Sequence, residues 1–129
     1  MKDCMPINFE ELNGFIKNNN YKLVSIGDRT CIMEADIVET SLNPYNTAHG
    51  GFIFGLADTA AGIACRTTGR SAMTINATID YLHYVVGSKI KAEAKCIKDG
   101  KTITSYEVYI YDDKDNLVSK SNITYFYMS

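Results

Sequence analysis

Between Gly51 and Cys65 the chain carries only two polar side chains, Asp58 and Thr59. The Ala, Gly and Leu content of the run from Gly50 to Arg66 favours helix over strand. A helix that is apolar on every side has to be buried. A membrane span is the rival reading, but the run falls short of about 18 uninterrupted apolar residues and would carry Asp58 near its centre. Everything downstream alternates like a soluble sheet, which decides for a core helix.

The flanking sequence shows what such a helix is buried against. Asn8 to Asn19 reads as a short amphipathic helix, with Asn8 as N-cap, Glu11 three residues later and Phe9, Leu12, Phe15 and Ile16 on one face. Tyr21 to Ile26 and Thr30 to Thr40 read as strands, and a loop from Ser41 to His49 leads into the central helix. Four more strands are predicted at about 71–85, 88–98, 101–111 and 117–128. In the second of these, Ile90, Ala92, Ala94 and Cys96 alternate with Lys89, Lys91, Glu93 and Lys95, giving one dry face and one wet face. Such a sheet must cover something, and the run from Gly50 to Arg66 is the one apolar element long enough. The expected fold is α+β: a curved antiparallel sheet of about six strands wrapped around a long central helix, with a short N-terminal helix.

Composition bounds this unit. The 129 residues, 46% hydrophobic and 22% charged, suit a single globular domain spanning 1–129. A formal net charge of -2 argues against nucleic acid as a partner. Cys4, Cys31, Cys65 and Cys96 are too scattered for a zinc or dithiol motif, so no metal and no cofactor are expected. The acidic turn from Asp112 to Asn116 lacks the central glycine and closing glutamate of a calcium loop and reads as a solvated hairpin. The start of the chain lacks the apolar core of a signal peptide, and reduced thiols fit a cytoplasmic protein with no membrane association.

Two constellations carry chemistry. On a helical wheel Gly51, Gly55, Asp58, Gly62 and Cys65 form a stripe of small residues with Asp58 in its middle, while Phe52, Leu56 and Ile63 form a bulky core stripe. A carboxylate in so apolar a helix is costly unless it is used or paired. The structural alternative is a glycine stripe packed on a neighbour, with Asp58 bonded to a backbone N–H. Ahead of the helix stands Asn43-Pro-Tyr-Asn46-Thr-Ala-His49-Gly50-Gly51. Free N–H groups at a helix start favour developing negative charge, and glycines there let a substrate carbonyl come close, as in an oxyanion hole. Gly50 and Asp58 lie roughly 12 Å apart along the axis at 1.5 Å per residue. The two would cooperate better if Asp58 came from a second copy, which predicts a site shared across a homodimer. His83, on the face shared by Ile75, Ala77, Ile79 and Tyr81, is expected to point toward the helix, either as a packed histidine or in a catalytic role. Thr74, Asn76, Thr78 and Asp80 fall on the other face.

The segment Asn43-x-x-Asn46-x-x-His49-Gly50-Gly51-x6-Asp58 resembles the N-x-x-G-x-x-H-G-G-x6-D/E signature of PaaI-like acyl-CoA thioesterases of the hotdog fold, and the order of strands after the helix matches too. The resemblance covers the chain beyond about Tyr21. It implies hydrolysis of acyl-CoA thioesters by a hotdog dimer, often a dimer of dimers. It further implies that Gly50 polarises the thioester carbonyl, that Asp58 from the opposing subunit is base or nucleophile, and that Asn43 positions water or substrate. His49 and Gly51 belong to the same signature. Coenzyme A would be part of the substrate, with Arg66, Arg70, Lys98 and Lys101 as candidate partners of its phosphates. Asn46 departs from the usual glycine, although asparagine tolerates positive φ. His83 stands near a position where some members carry a Ser or Thr that assists the attacking water. Two other functions compete: a hotdog dehydratase or hydratase, with His49 as base, and a non-catalytic acyl-CoA binding module. A Cys65/His49 nucleophilic pair is disfavoured, since Cys65 lies about four turns down a buried helix.

Overall fold

The computed structural model describes residues 14–129. The predicted N-terminal helix falls partly outside these residues, including Asn8, Phe9, Glu11 and Leu12. Its described part is one turn, α1 (Phe15–Asn18). Phe15 is 58% exposed and meets Tyr21 edge-on, while Ile16 packs against the core.

Six strands follow the predicted order: β1 (Tyr21–Gly27), β2 (Thr30–Asp36), β3 (Ala72–Tyr81), β4 (Lys89–Asp99), β5 (Ile103–Asp112) and β6 (Leu117–Tyr127). Between β2 and β3 runs α2 (Gly50–Arg66). All neighbouring strands pair antiparallel in the order β1-β2-β4-β5-β6-β3, so β1 and β3 are the edges. Two strands are shorter than the pattern suggested. β2 ends at Asp36, beyond which a single tight turn, Glu39–Ser41, redirects the chain. β3 ends at Tyr81, and the next two residues give their N–H groups to the Val118 carbonyl outside regular strand.

The sheet lays small residues under the helix. Ala35, Ala92 and Ala94 on β2 and β4 are buried opposite Leu56, Ala57, Ala60, Ala61 and Ala64 of α2. Alanine on both sides brings the helix axis close to the sheet, and Met33, Ile90, Val108, Ile110 and Ile123 fill the space around it. The helix is not buried all round, as its composition suggested. Gly51, Phe54, Asp58, Thr59, Gly62 and Arg66, at helical spacing, form a stripe that remains open to solvent in the single chain. Gly55 departs from that stripe, because it is buried where Tyr21 and Phe15 close over the helix. The open stripe lies on the side of edge strand β3, where Met73 and Ile75 are 55% and 52% exposed. Among the described residues no helix is long and apolar enough to cross a membrane, which leaves strand-based spanning unaddressed.

Candidate active site

The loop before α2 is shaped by Asn43. Its Oδ1 accepts from the N–H groups of Tyr45 and Thr47, and its Nδ2 donates to Thr47 Oγ1 at 2.8 Å. The side chain therefore holds the loop, with one Nδ2 proton left for anything outside it. Asn46 adopts φ 63°, the left-handed conformation that its side chain tolerates. The loop is anchored at its far end by His49 N–H to Ser41 O and Ala48 N–H to Val85 O.

His49 is the N-cap of α2. Its Nδ1 accepts the Gly51 N–H at 2.8 Å, which places the neutral ring's proton on Nε2. Gly51, expected to bind substrate, thus has its N–H engaged by the cap. The Gly50 N–H has no acceptor among the described residues, and as the first residue of the helix it makes no bond within the helix itself. The Gly50 carbonyl accepts from Tyr81 Oη at 2.9 Å. A Cβ at position 50 would stand 3.2 Å from the Tyr81 ring, so the glycine is what lets the aromatic close over the helix start. A cleft of about 480 Å³ opens there between Asn43, Gly50, Ile53, Tyr81, Leu82 and the stacked pair His83 and Tyr84. His83 does reach this cleft, but not from a strand. It lies beyond the end of β3, exposed, donating Nδ1–H to the Tyr84 carbonyl at 2.6 Å.

Asp58 is half-buried and does not line that cleft. Its Oδ1 accepts from Thr74 Oγ1 at 3.0 Å and lies 2.9 Å from Tyr125 Oη; the same phenol is 2.8 Å from the Asp58 carbonyl. Oδ2 has no partner among the described residues. Thr74 corrects the sequence reading, which assigned it to the outer face. The β3–β6 register slips between Thr74 and Asn76, so Ile75 bulges out and the parity of the strand reverses. The hydroxyl beside the helix acid is thus supplied by Thr74, and not from the position of His83. Tyr125 is a second partner that the sequence does not single out. Its place in the inward alternation of β6 beside Ile123 and Tyr127 is the only trace it leaves in the sequence.

The four cations predicted to meet phosphates gather at the other end of α2, roughly 24 Å from Gly50 at 1.5 Å per residue. Arg66 ends the helix. Arg70 stacks on the Tyr127 ring, 3.5 Å from its centroid, and donates to the carbonyls of Ser129 and Lys101. Lys98 and Lys101 flank the turn between β4 and β5. One chain does not bring these residues to the Gly50 cleft. Asp112 accepts the N–H groups of Lys114 and Asn116, so the acidic turn closes on itself. No cluster capable of holding a metal occurs among the described residues.

The family model described as Thioesterase superfamily matches residues 45–119, which contain the end of the loop, α2, β3, β4, β5 and the start of β6. The chain belongs to the thioesterase superfamily. It is a PaaI-like member with the hotdog architecture. The acyl-coenzyme A thioesterase PaaI of Escherichia coli K12 is 29% identical over 98 residues, 75% of this chain and 70% of that one. The structure of the PaaI protein from the E. coli phenylacetic acid degradation operon superimposes with a TM-score of 0.89 at 24% identity, covering 94% of this chain and 88% of that one. A Streptococcus mutans UA159 protein crystallised with acetyl-CoA is 31% identical, with a TM-score of 0.84 and coverage of 92% and 94%.

Proposed function

We propose that this thioesterase hydrolyses acyl-CoA thioesters at a site shared between two copies of the chain. The observation that carries the reading is a separation. Among the described residues, the cleft at Gly50 offers an unpaired N–H at the positive end of a helix but has no acid in its lining, while Asp58 presents an Oδ2 without a partner on an open stripe next to an unpaired strand edge. Each half lacks what the other has. Two copies joined along β3 would bring the acid of one to the helix start of the other. The similarity to acyl-coenzyme A thioesterase PaaI and to a protein crystallised with acetyl-CoA supports a CoA thioester as substrate.

In this reading the thioester oxygen accepts the Gly50 N–H, which stabilises the negative charge of the tetrahedral intermediate. Asp58 of the opposing copy takes a proton from water as the water oxygen bonds to the carbonyl carbon. Collapse breaks the C–S bond, and coenzyme A leaves as thiolate and is then protonated. Direct attack by Asp58 would instead form a mixed anhydride that water opens. A single turnover in isotopically labelled water separates the two where water opens the anhydride at Asp58 Cγ, since the acid then leaves with an unlabelled enzyme oxygen and the label enters Asp58. His49 fits a cap better than the base of a hydratase, because its unprotonated nitrogen already accepts from Gly51.

Release of free thiol, measured over short, medium, long and aromatic acyl-CoAs, tests the proposal. Asp58→Ala is expected to lower turnover about 10²- to 10⁴-fold on the best substrate. Equal release by both proteins would remove it.

A further inference from the structure

Resting on the reading of Asp58 as the acting acid, we infer that Tyr125 is a positioning residue that holds Oδ1 of the carboxylate and thereby makes Oδ2 the oxygen that acts. Tyr125 is 4% exposed on β6, one strand in from the edge, with its ring set edge-on against the fully buried Tyr106 at 5.9 Å. Its hydroxyl has a fixed address, whereas Thr74 sits on the exposed edge strand.

The phenol carries one proton and has two acceptors in reach, the carbonyl and Oδ1 of Asp58. The carbonyl is mid-helix and already receives the amide of the next turn. The carboxylate is the acceptor with charge to be compensated, and the charge-assisted bond is the stronger. Burial, and secondarily the neighbouring Asp58 charge, raises the Tyr125 phenol well above its ordinary value, so it stays a donor throughout the working range. Two hydroxyls on one oxygen leave the other with its lone pairs turned to the open stripe. Without the phenol the carboxylate keeps only the edge-strand threonine and is free to rotate.

Tyr125→Phe keeps the ring and removes the hydroxyl. With folded protein quantified by circular dichroism, kcat for acyl-CoA hydrolysis should fall roughly 10- to 100-fold, the cost of a misplaced reacting group, while KM stays within about twofold. In an Asp58→Asn background the same substitution should cost less than about twofold, because the group it positions is gone. A crystal structure of Tyr125→Phe should show the Asp58 carboxylate rotated or in two conformers. If Asp58→Asn inactivates the enzyme but Tyr125→Phe leaves kcat per folded molecule within twofold, the positioning role is wrong and the reading of Asp58 stands. If Asp58→Asn itself retains full activity, both fall. A loss that vanishes once rates are normalised to folded protein also overturns the role.

Discussion

His49 and its two glycines divide one job among three adjacent residues. The histidine takes up the Gly51 N–H, the first helical residue keeps its own N–H unpaired among the described residues, and Tyr81 holds the Gly50 carbonyl from the other side. Which glycine acts is thereby testable with a single atom. Proline is tolerated at the first helical position, and His49 at φ -66° and ψ 139° already has the extended conformation that a following proline requires. Gly50→Pro should therefore fold, with the Tyr81 ring shifting by a few tenths of an ångström. Its kcat should fall about 10²- to 10³-fold, the loss typical of one oxyanion donor. Steady-state kinetics together with a thermal melt would check both halves; full activity would move the polarising group elsewhere. Asp58 and the His-Gly-Gly run could be read in the sequence because each is out of character with its surroundings. Thr74 could not, since a one-residue bulge at Ile75 reverses the parity on which a strand reading depends, and Tyr125 could not, since its regular inward place in β6 looks like that of any core aromatic.

At the level of elements, position along the helix sorts its side chains into sheet-facing, closed and open sets, and an Asp99 network ties its C-terminal end to the strands. Asp99 ends β4, bonds Arg29 of the β1–β2 turn at 2.8 Å and accepts from Tyr127 of β6. Arg29 N–H in turn donates to Thr67 just past α2. Burial pushes the Asp99 carboxyl up, but the Tyr127 and Thr104 hydroxyls and the Arg29 guanidinium outweigh it, and the net shift is below the ordinary 3.8. A depressed folded value means the stabilisation is complete above about pH 4 and is lost as pH falls through the lowered value. Asp99→Asn should cost about 1 kcal/mol at neutral pH. It should also flatten the decline in melting temperature below pH 4, followed by calorimetry from pH 7 to pH 2. An unchanged acid limb would show that Asp99 does not govern it. Alternation makes the strands and the central helix legible, but not their ends: β2 stops where Ile37 bonds Ser88 just ahead of β4, and β3 stops where Leu82 and His83 share the single Val118 carbonyl of β6 instead of continuing the ladder, which no periodicity records.

The whole molecule poses the question that one chain does not answer. Its described surface leaves an edge strand unpaired, with Met73 and Ile75 exposed beside a helix stripe carrying Asp58, and natural sheets rarely leave such an edge uncovered. The distance between Gly50 and Asp58 is readable from helix geometry, and it is what makes the sequence predict a site shared with a second copy. In the folded chain the two features lie apart, with a cleft at one and, among the described residues, an oxygen without a partner at the other. A shared site makes a quantitative demand. Gly50→Pro and Asp58→Ala subunits are each inactive alone, since every site lacks one half. Unfolded together and refolded as a mixture, they should form hybrid dimers in which one site has lost both halves and the other is intact. Random pairing makes half of the dimers hybrid with one good site of two, so about one quarter of wild-type activity should return. A site built within one chain would return none, because no subunit in the mixture holds both groups, and the measured thiol release would then stay at the level of the separate variants.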